Sequence, residues 1–594
     1  MMKKLIFYDI VILKNFIQGK WYLMKYKPVP IGVDNFKKVI TDGYYYVDKT
    51  LFIKDLLDLK GEVNLFTRPR RFGKSLNISM LQYFFENADD EKVNNENKKL
   101  FEGLKIKKES DEYTSHMCSY PVINISLKSA KKDNFKMAYE ALKEVIIGEY
   151  TRHQFLLESY ELNDRQKKIF KNICIDDTAT DSEIYNSLKF LSECLYIHHK
   201  KNVIILIDEY DVPLENAYSK GFYDEMIGFI RSFFEGVLKT NKSLNFAVIT
   251  GCLRISKESI FTGLNNLKIV SILSANYGEY FGFLPKEVKK MFEFYDLASN
   301  KQIVEEWYNG YVFGDKKVYN PWSIINYIDD RYYKRVEMYP KPYWSNTSSN
   351  NIVRKLIERN TADIKDSIEE LINGRSMEIK IHEDITYGDI ELSNENIWNF
   401  LFFTGYLKKV SERFQDVELF IKVKIPNKEL EYIYKNKIIN WFEQIIREKD
   451  LTPLYKALLE GNEDTISDII SDELMNMISY NDYKESFYHG FLTGILGKME
   501  NYSVVSNFES GLGRPDMLVK PRSVRKEAII IEIKIVKNID DMETACSEAL
   551  KQIEDNKYEE GLKRDGFRKF IKYGVAFYKK ECLVKKNKSL KLIT

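Results

Sequence analysis

The chain has 594 residues, 44% hydrophobic and 30% charged, an ordinary globular composition with room for two to four domains. Its 90 basic residues are nearly cancelled by 88 acidic ones, leaving a net charge of +2. No global basic field advertises nucleic acid, so any such contact rests on local patches. The six cysteines are scattered, with no C-x-x-C pair and no zinc spacing, which argues against a disulfide scaffold or zinc finger and fits a reducing cytoplasm.

The opening M-M-K-K-L-I-F-Y-D-I-V-I-L-K mimics a signal peptide weakly. Asp9 and Lys14 interrupt the apolar run and no small-residue cleavage site follows. No apolar stretch reaches the roughly 18 residues that a membrane crossing needs, so no membrane partner is expected. Residues 1–24 read as an N-terminal extension. Residues 25–285 alternate strand and helix. Strands are expected at Val63–Thr67, Val122–Ser126, Val203–Ile207, Phe246–Thr250 and Lys268–Ile272, and helices at Ser75–Glu86 and Tyr223–Lys239. Short apolar runs without alternation suit strands buried on both faces, hence an α/β parallel sheet. Ala88–Lys99 reads as a charged loop. Residues 286–410 turn helical, with aromatic marks at Trp307, Tyr311 and Trp322 that either stack on bases or pack within a small lid. Residues 411–475 are a poorly marked connecting region. From Tyr480 the pattern is helix, strand, strand, strand, helix, strand, within a last domain at 476–594.

The first strand runs into R-P-R-R-F-G-K-S, Arg68–Ser75. Gly73, Lys74 and Ser75 supply the second half of a phosphate-binding loop: backbone N–H groups at a helix N-terminus, a lysine for the phosphates and a hydroxyl for magnesium. Arg68 replaces the usual first glycine, and Arg70 and Arg71 sit within the loop as further phosphate candidates. The strand V-I-I-L-I-D-E-Y-D ends in Asp208, a candidate magnesium holder, and Glu209, which can polarise an attacking water. Phe246–Thr250 ends in T-G-C-L-R, where Thr250 can sense a γ-phosphate. Arg254 either contacts phosphates, in cis or across a homo-oligomer, or lies in a surface salt bridge.

Near the other end, R-P-D (Arg514–Asp516) precedes a strand at Met517–Val519, and I-I-I-E-I-K lies on a strand at Ala528–Val536. Glu532 and Lys534, two apart on a strand, project from one face. Antiparallel pairing places Asp516 beside Glu532. Two carboxylates, the Ile533 carbonyl and a lysine are the groups that Mg2+-dependent phosphodiester hydrolysis needs, Lys534 orienting the water. A lone acid–x–lysine on an apolar strand is more often an edge salt bridge. Arg514 either binds phosphate or caps the turn. A helix at Tyr483–Met499 carries Glu485 and His489 on one face, and a helix at Met542–Tyr558 carries Gln552. The tail Lys579–Lys591 reads as a solvated basic end or a nucleic-acid contact.

Y-V-D-K-T (Tyr46–Thr50), the R-P-R-R-F-G-K-S loop, the D-E-Y-D strand, F-T-G-L-N-N, W-Y-N-G-Y and Y-N-P-W-S follow one another in order. Together they resemble the AAA-ATPase-like family of bacterial proteins, which often carries a C-terminal PD-(D/E)XK nuclease domain. The motifs from Glu485 to Gln552 resemble that nuclease superfamily. The resemblance implies a P-loop NTPase core with a helical lid, followed by a restriction-endonuclease-like α/β domain. It implies ATP and Mg2+ as cofactors, Glu485 as the first-helix acid and Gln552 as a glutamine supporting the site, with His489 flanking it. Tyr46, Asp48 and Lys49 either contact adenine or cap a helix. The expected function is an ATPase coupled to a DNase, DNA being favoured over RNA, in defence or mobile-element control. The rival is an ATP-dependent switch or scaffold whose nuclease-like domain binds nucleic acid or protein without cutting; a third reading is a hexameric DNA translocase.

Overall fold

The structure, a computed structural model, describes residues 27–176, 178–254, 265–334, 340–346, 367–368, 370–383, 385–436, 450–477, 485–506 and 515–587. Those residues fall into two compact units. The first runs to Trp344 and takes in Ile379–Ile421 and Pro426–Glu429; the second is built chiefly from residues after Leu430.

The first unit is built on a parallel sheet of β1 (Val63–Thr67), β2 (Val122–Ser126), β3 (Val203–Asp208), β4 (Leu244–Gly251) and β5 (Leu267–Val270), in the spatial order β2-β3-β4-β1-β5. Every residue of β1 and β3 is buried, which is why these strands read as unbroken apolar runs. The order brings the C-terminal ends of β1, β3 and β4 side by side: Phe66 pairs with Thr250, and Ile207 with Ile249. Ligands bind at this edge in open α/β sheets. Helix α1 (Lys74–Phe85) follows β1, and α2 (Val212–Lys220) follows β3.

The segment expected as a loop at Ala88–Lys99 is partly helical: Glu91–Lys99 forms a helix. Asp90 caps it by accepting the Lys92 and Val93 amides, and Asn97 is its one buried residue. A helix so polar leaves no apolar periodicity in the sequence. In the 286–410 region, Pro285–Phe294, Lys301–Tyr308 and Pro321–Lys334 are helices, and a hairpin pairs Tyr311–Phe313 with Lys316–Val318. Within the region expected as poorly marked, Lys408–Gln415 and Glu418–Lys424 are strands, and Thr452–Glu460 and Glu463–Met477 are helices.

The second unit carries a mixed sheet of β6 (Tyr502–Ser506), β7 (Met517–Pro521), β8 (Ala528–Ile535), β9 (Phe570–Tyr578) and β10 (Glu581–Lys586), in sequence order. All neighbours are antiparallel except β8 and β9, which run parallel. Parallel strands need a crossover, here α4 (Met542–Asp555); α3 (Glu485–Leu496) precedes β6. The period of two on β8 sorts its residues. Ile529, Ile531 and Ile533 join a core with Tyr488, Leu492 and Ile495 of α3. Ala528 and Ile530 face the α4 side with Ile553, and Glu532 and Lys534 share that face. Of the basic tail expected at Lys579–Lys591, residues 588–591 lie outside the described residues, and the rest is not simply a solvated end. Glu581–Lys586 is an edge strand that buries Cys582 and Val584, with lysines on an edge as protection against further pairing.

Candidate functional site

The chain enters the phosphate loop from β1 and leaves it through Gly73, whose φ of +85° places it in the left-handed region as the N-cap of α1. Lys74 Nζ is buried and donates to the carbonyls of Arg68 (2.9 Å) and Pro69 (3.0 Å), with Cys252 Sγ at 3.7 Å. The ammonium thus sits on the loop's own oxygens, the position from which it can reach a phosphate. Ser75 is the second residue of α1. Asp208 ends β3, level with Thr250 on β4. Thr250 Oγ1 donates to Asp208 Oδ1 at 2.5 Å and accepts the Glu209 amide at 3.4 Å. Glu209 has a φ of +53°, a strained conformation of the kind that clusters at functional sites. Burial, and then Asp208, push its pKa upward.

The loop arginines divide. Arg68, standing where a glycine was expected, is fully buried and turns into the core. It donates to the carbonyls of Thr67 (2.9 Å) and Val270 (2.7 Å), and its guanidinium lies over Phe281 and Phe313. Burial lowers its pKa to about 9. Arg70, expected at phosphates, is paired with Glu215 of α2. Burial opposes its charge, but the Glu215 carboxylate more than offsets that and raises its pKa. Arg71 is exposed and lies 4.0 Å above the Trp322 ring. Arg254 lies 4.0 Å from Glu383. Asp211, given no role by the sequence reading, accepts the amides of Cys252 (2.7 Å) and Leu253 (3.2 Å) and so fixes the chain leaving β4. Its place in D-E-Y-D was the available signal.

Among the earlier aromatic and N-terminal candidates, packing prevails. Tyr311 is buried against Phe72, and Trp322 Nε1 donates to the Tyr343 carbonyl at 3.1 Å. Asp48 accepts the Thr50 amide at 2.9 Å, as in an Asx turn before the helix Leu51–Leu59. Lys49 Nζ is 2.6 Å from Glu287.

In the second unit, antiparallel pairing of Met517 with Ile531 places Asp516 opposite Glu532. The Asp516 amide donates to Glu532 Oε2 at 3.3 Å, and Asp516 Oδ2 accepts the Ile533 amide at 2.8 Å. N–H and C=O of one strand residue point to the same side, so the Ile533 carbonyl is directed to that same edge. His489 Nε2, on α3, donates to the Asp516 carbonyl at 2.8 Å, tying the residue before β7 to that helix. Gln552 of α4 bridges the other two groups: its Nε2 donates to Glu532 Oε1, and its Oε1 accepts from Lys534 Nζ at 2.6 Å. Lys534 Nζ is itself 3.9 Å from Glu532 Oε1.

Glu532 is 2% exposed. Burial, then the neighbouring Asp516, raises its pKa to about 7. Two hard carboxylates forced together in a half-dry setting are a donor set that suits a divalent cation such as Mg2+. Glu485 opens α3, but its side chain lies outside the described residues, as do Arg514 and residues 261–264 of the F-T-G-L-N-N motif.

Two residues escaped the sequence reading. Tyr558 OH is 3.4 Å from Gln552 Nε2 and accepts from Asn556 at 3.0 Å, steadying the glutamine. Gly574 pairs with Glu532 across the sheet, and a Cβ there would lie 2.2 Å from the Cys546 carbonyl. Its lack of a side chain lets α4 approach closely enough for Gln552 to reach. Neither has a local sequence signature, because both act through tertiary contact.

The comparisons with known proteins agree with this geometry. The predicted AAA-ATPase family matches residues 30–261, and the PD-(D/E)XK nuclease superfamily matches residues 483–587. The chain therefore has a P-loop α/β segment of AAA-ATPase-like type followed by a nuclease-like α/β segment of PD-(D/E)XK type. It is similar to an uncharacterised protein from the vnfD 5′ region of Azotobacter chroococcum mcd 1, at 27% identity over 346 residues, which is 57% of this chain and 58% of the relative. The chain thus spans under two-thirds of that relative's length. Among the described residues, no helix is long and apolar enough to cross a membrane.

Proposed function

We propose that the protein is an ATPase whose nucleotide cycle controls a Mg2+-dependent DNase. The observation that carries this reading is the convergence of Asp516, Glu532 and Lys534 on one sheet face, with Gln552 hydrogen-bonded to both members of the E-x-K pair. In a chance edge salt bridge no third residue would be needed to hold acid and lysine apart at 3.9 Å. Asp516, Glu532 and the Ile533 carbonyl would hold the cation, with Glu485 placed by family resemblance as a further acid. Bound there, a divalent cation would polarise the scissile phosphate and offset its charge. Lys534 orients the attacking water and stabilises charge as it develops. Gln552 keeps the lysine from collapsing onto Glu532.

In the first unit, Gly73, Lys74 and Ser75 would cradle the phosphates of ATP, with Ser75 and Asp208 on the magnesium side and Thr250 reporting on the γ-phosphate through Asp208. Glu209 is the water-polarising group. Arg71 and Arg254 are phosphate candidates whose present partners, Trp322 and Glu383, would have to be exchanged; Arg70 supports the loop through Glu215. A pairing of nucleotide switch and DNase suits defence or control of mobile DNA.

The test is to incubate the full chain with DNA and RNA, with and without Mg2+ and ATP. Asp516→Ala and Lys534→Ala are expected to abolish DNA cleavage and leave ATP turnover intact. Normal cleavage by either variant would sink the assignment.

A further inference from the structure

We propose that Asp89, His198 and His199 form a separate metal site in the first unit, for a borderline divalent ion of the zinc class. One ligand atom from each of the three lies within 4.8 Å of the others, and no other such group of three or more occurs among the described residues. His198 Nε2 is 3.6 Å from Asp89 Oδ2. That is too long for a hydrogen bond. It is close to the separation of about 3.3 Å expected between two ligands that each sit 2.0–2.1 Å from a tetrahedral ion.

Three further features point the same way. His198 Nδ1 is held by Ser159 Oγ at 2.8 Å, the outer hydrogen bond that metal-ligating histidines use to fix ring orientation, and it turns Nε2 towards Asp89. His199 Nε2 is buried and has no hydrogen-bond partner, an unsatisfied state that buried polar atoms rarely keep. The two imidazoles cross at 85°, and Phe155 packs against both, giving the group an apolar backing. Two imidazoles and one carboxylate favour zinc, cobalt or nickel over magnesium.

The position suggests the purpose. Asp89 follows α1, whose first turn holds Lys74; His198 and His199 end the helix Ser187–His199, which leads into β3 and Asp208. An ion there ties the far end of α1, whose first turn holds the phosphate lysine, to the helix that leads into the strand carrying Asp208. With three protein ligands it also leaves a fourth position for water.

The experiment uses the full chain carrying Asp516→Ala, so that the carboxylate pair of the second unit does not add a competing site. The protein is stripped with chelator and titrated with Co2+, whose visible absorption reports a low-coordinate site. One ion per chain is expected. His198→Ala and His199→Ala should each weaken Co2+ binding at least tenfold, and Ser159→Ala by about 10- to 100-fold. Melting without metal checks that the variants fold. A chain that takes up no Co2+, leaving only a histidine–aspartate pair, overturns the proposal, as does unchanged binding in a folded His199→Ala protein.

Discussion

Replacing Glu532 with Gln, and varying pH, should change how the second unit takes up Mg2+. Glu532 is 2% exposed, and burial, then Asp516, raises its pKa from 4.5 to about 7. Without a cation, folding therefore favours the neutral carboxyl. That contribution is complete below pH 4.5 and is lost as pH rises through 7. A hard cation needs the ionised form and displaces the proton. With a pKa of about 7, roughly nine-tenths of the groups are protonated at pH 6 and roughly one-tenth at pH 8. Apparent Mg2+ affinity is then expected to fall about tenfold from pH 8 to pH 6. A carboxylate at its ordinary pKa would show almost no change over that range. Calorimetric titration of metal-stripped protein, repeated in two buffers of different ionisation heat, measures both affinity and protons released. About 0.9 proton per ion is expected at pH 6 and about 0.1 at pH 8. Glu532→Gln should bind weakly at both pH values and release none. Wild-type affinity that stays flat between pH 6 and pH 8 would refute the reasoning.

Lys74→Ala should abolish ATP turnover, measured as phosphate release, because its ammonium is held on the Arg68 and Pro69 carbonyls at the start of α1. Thr250→Val removes the hydroxyl that joins Asp208 to the Glu209 amide. Loss of hydrogen bonding to a charged group is expected to lower ATP turnover by about 1.5–3 kcal/mol in barrier height while nucleotide binding persists. Gly574→Ala drives a methyl group into the Cys546 carbonyl; about 1–3 kcal/mol of destabilisation is expected in denaturant melts of the second unit, with loss of DNA cleavage, since α4 and Gln552 must retreat.

Much of this arrangement could be read from residues, for identifiable reasons. The strands β1 and β3 are buried on both faces, so they announce themselves as apolar runs, and the expected bounds of β1 and β2 match the structure. The face shared by Glu532 and Lys534 follows from the strand period alone, and their meeting with Asp516 from a hairpin. Other features had no local trace. The helix Glu91–Lys99 is too polar to show a period. The strand β10 is masked by its flanking lysines. Arg70 carries a phosphate-loop signature, yet Glu215, far along the chain, captures it. Arg68 reads as a basic loop residue and becomes a core side chain because Phe281 and Phe313 offer it ring faces.

The parallel pairing of β8 with β9 also bears on how the protein is made. A nascent chain halted before Phe570 already carries Asp516, Glu532, Lys534 and Gln552, yet β8 still lacks the strand that should flank it. The seat against which α4 rests, at Gly574, has not been synthesised either. Truncated translation products would therefore hold every reactive group without the frame that aligns them. The candidate site of the second unit is thus completed only by a strand that follows all four of these residues in the chain.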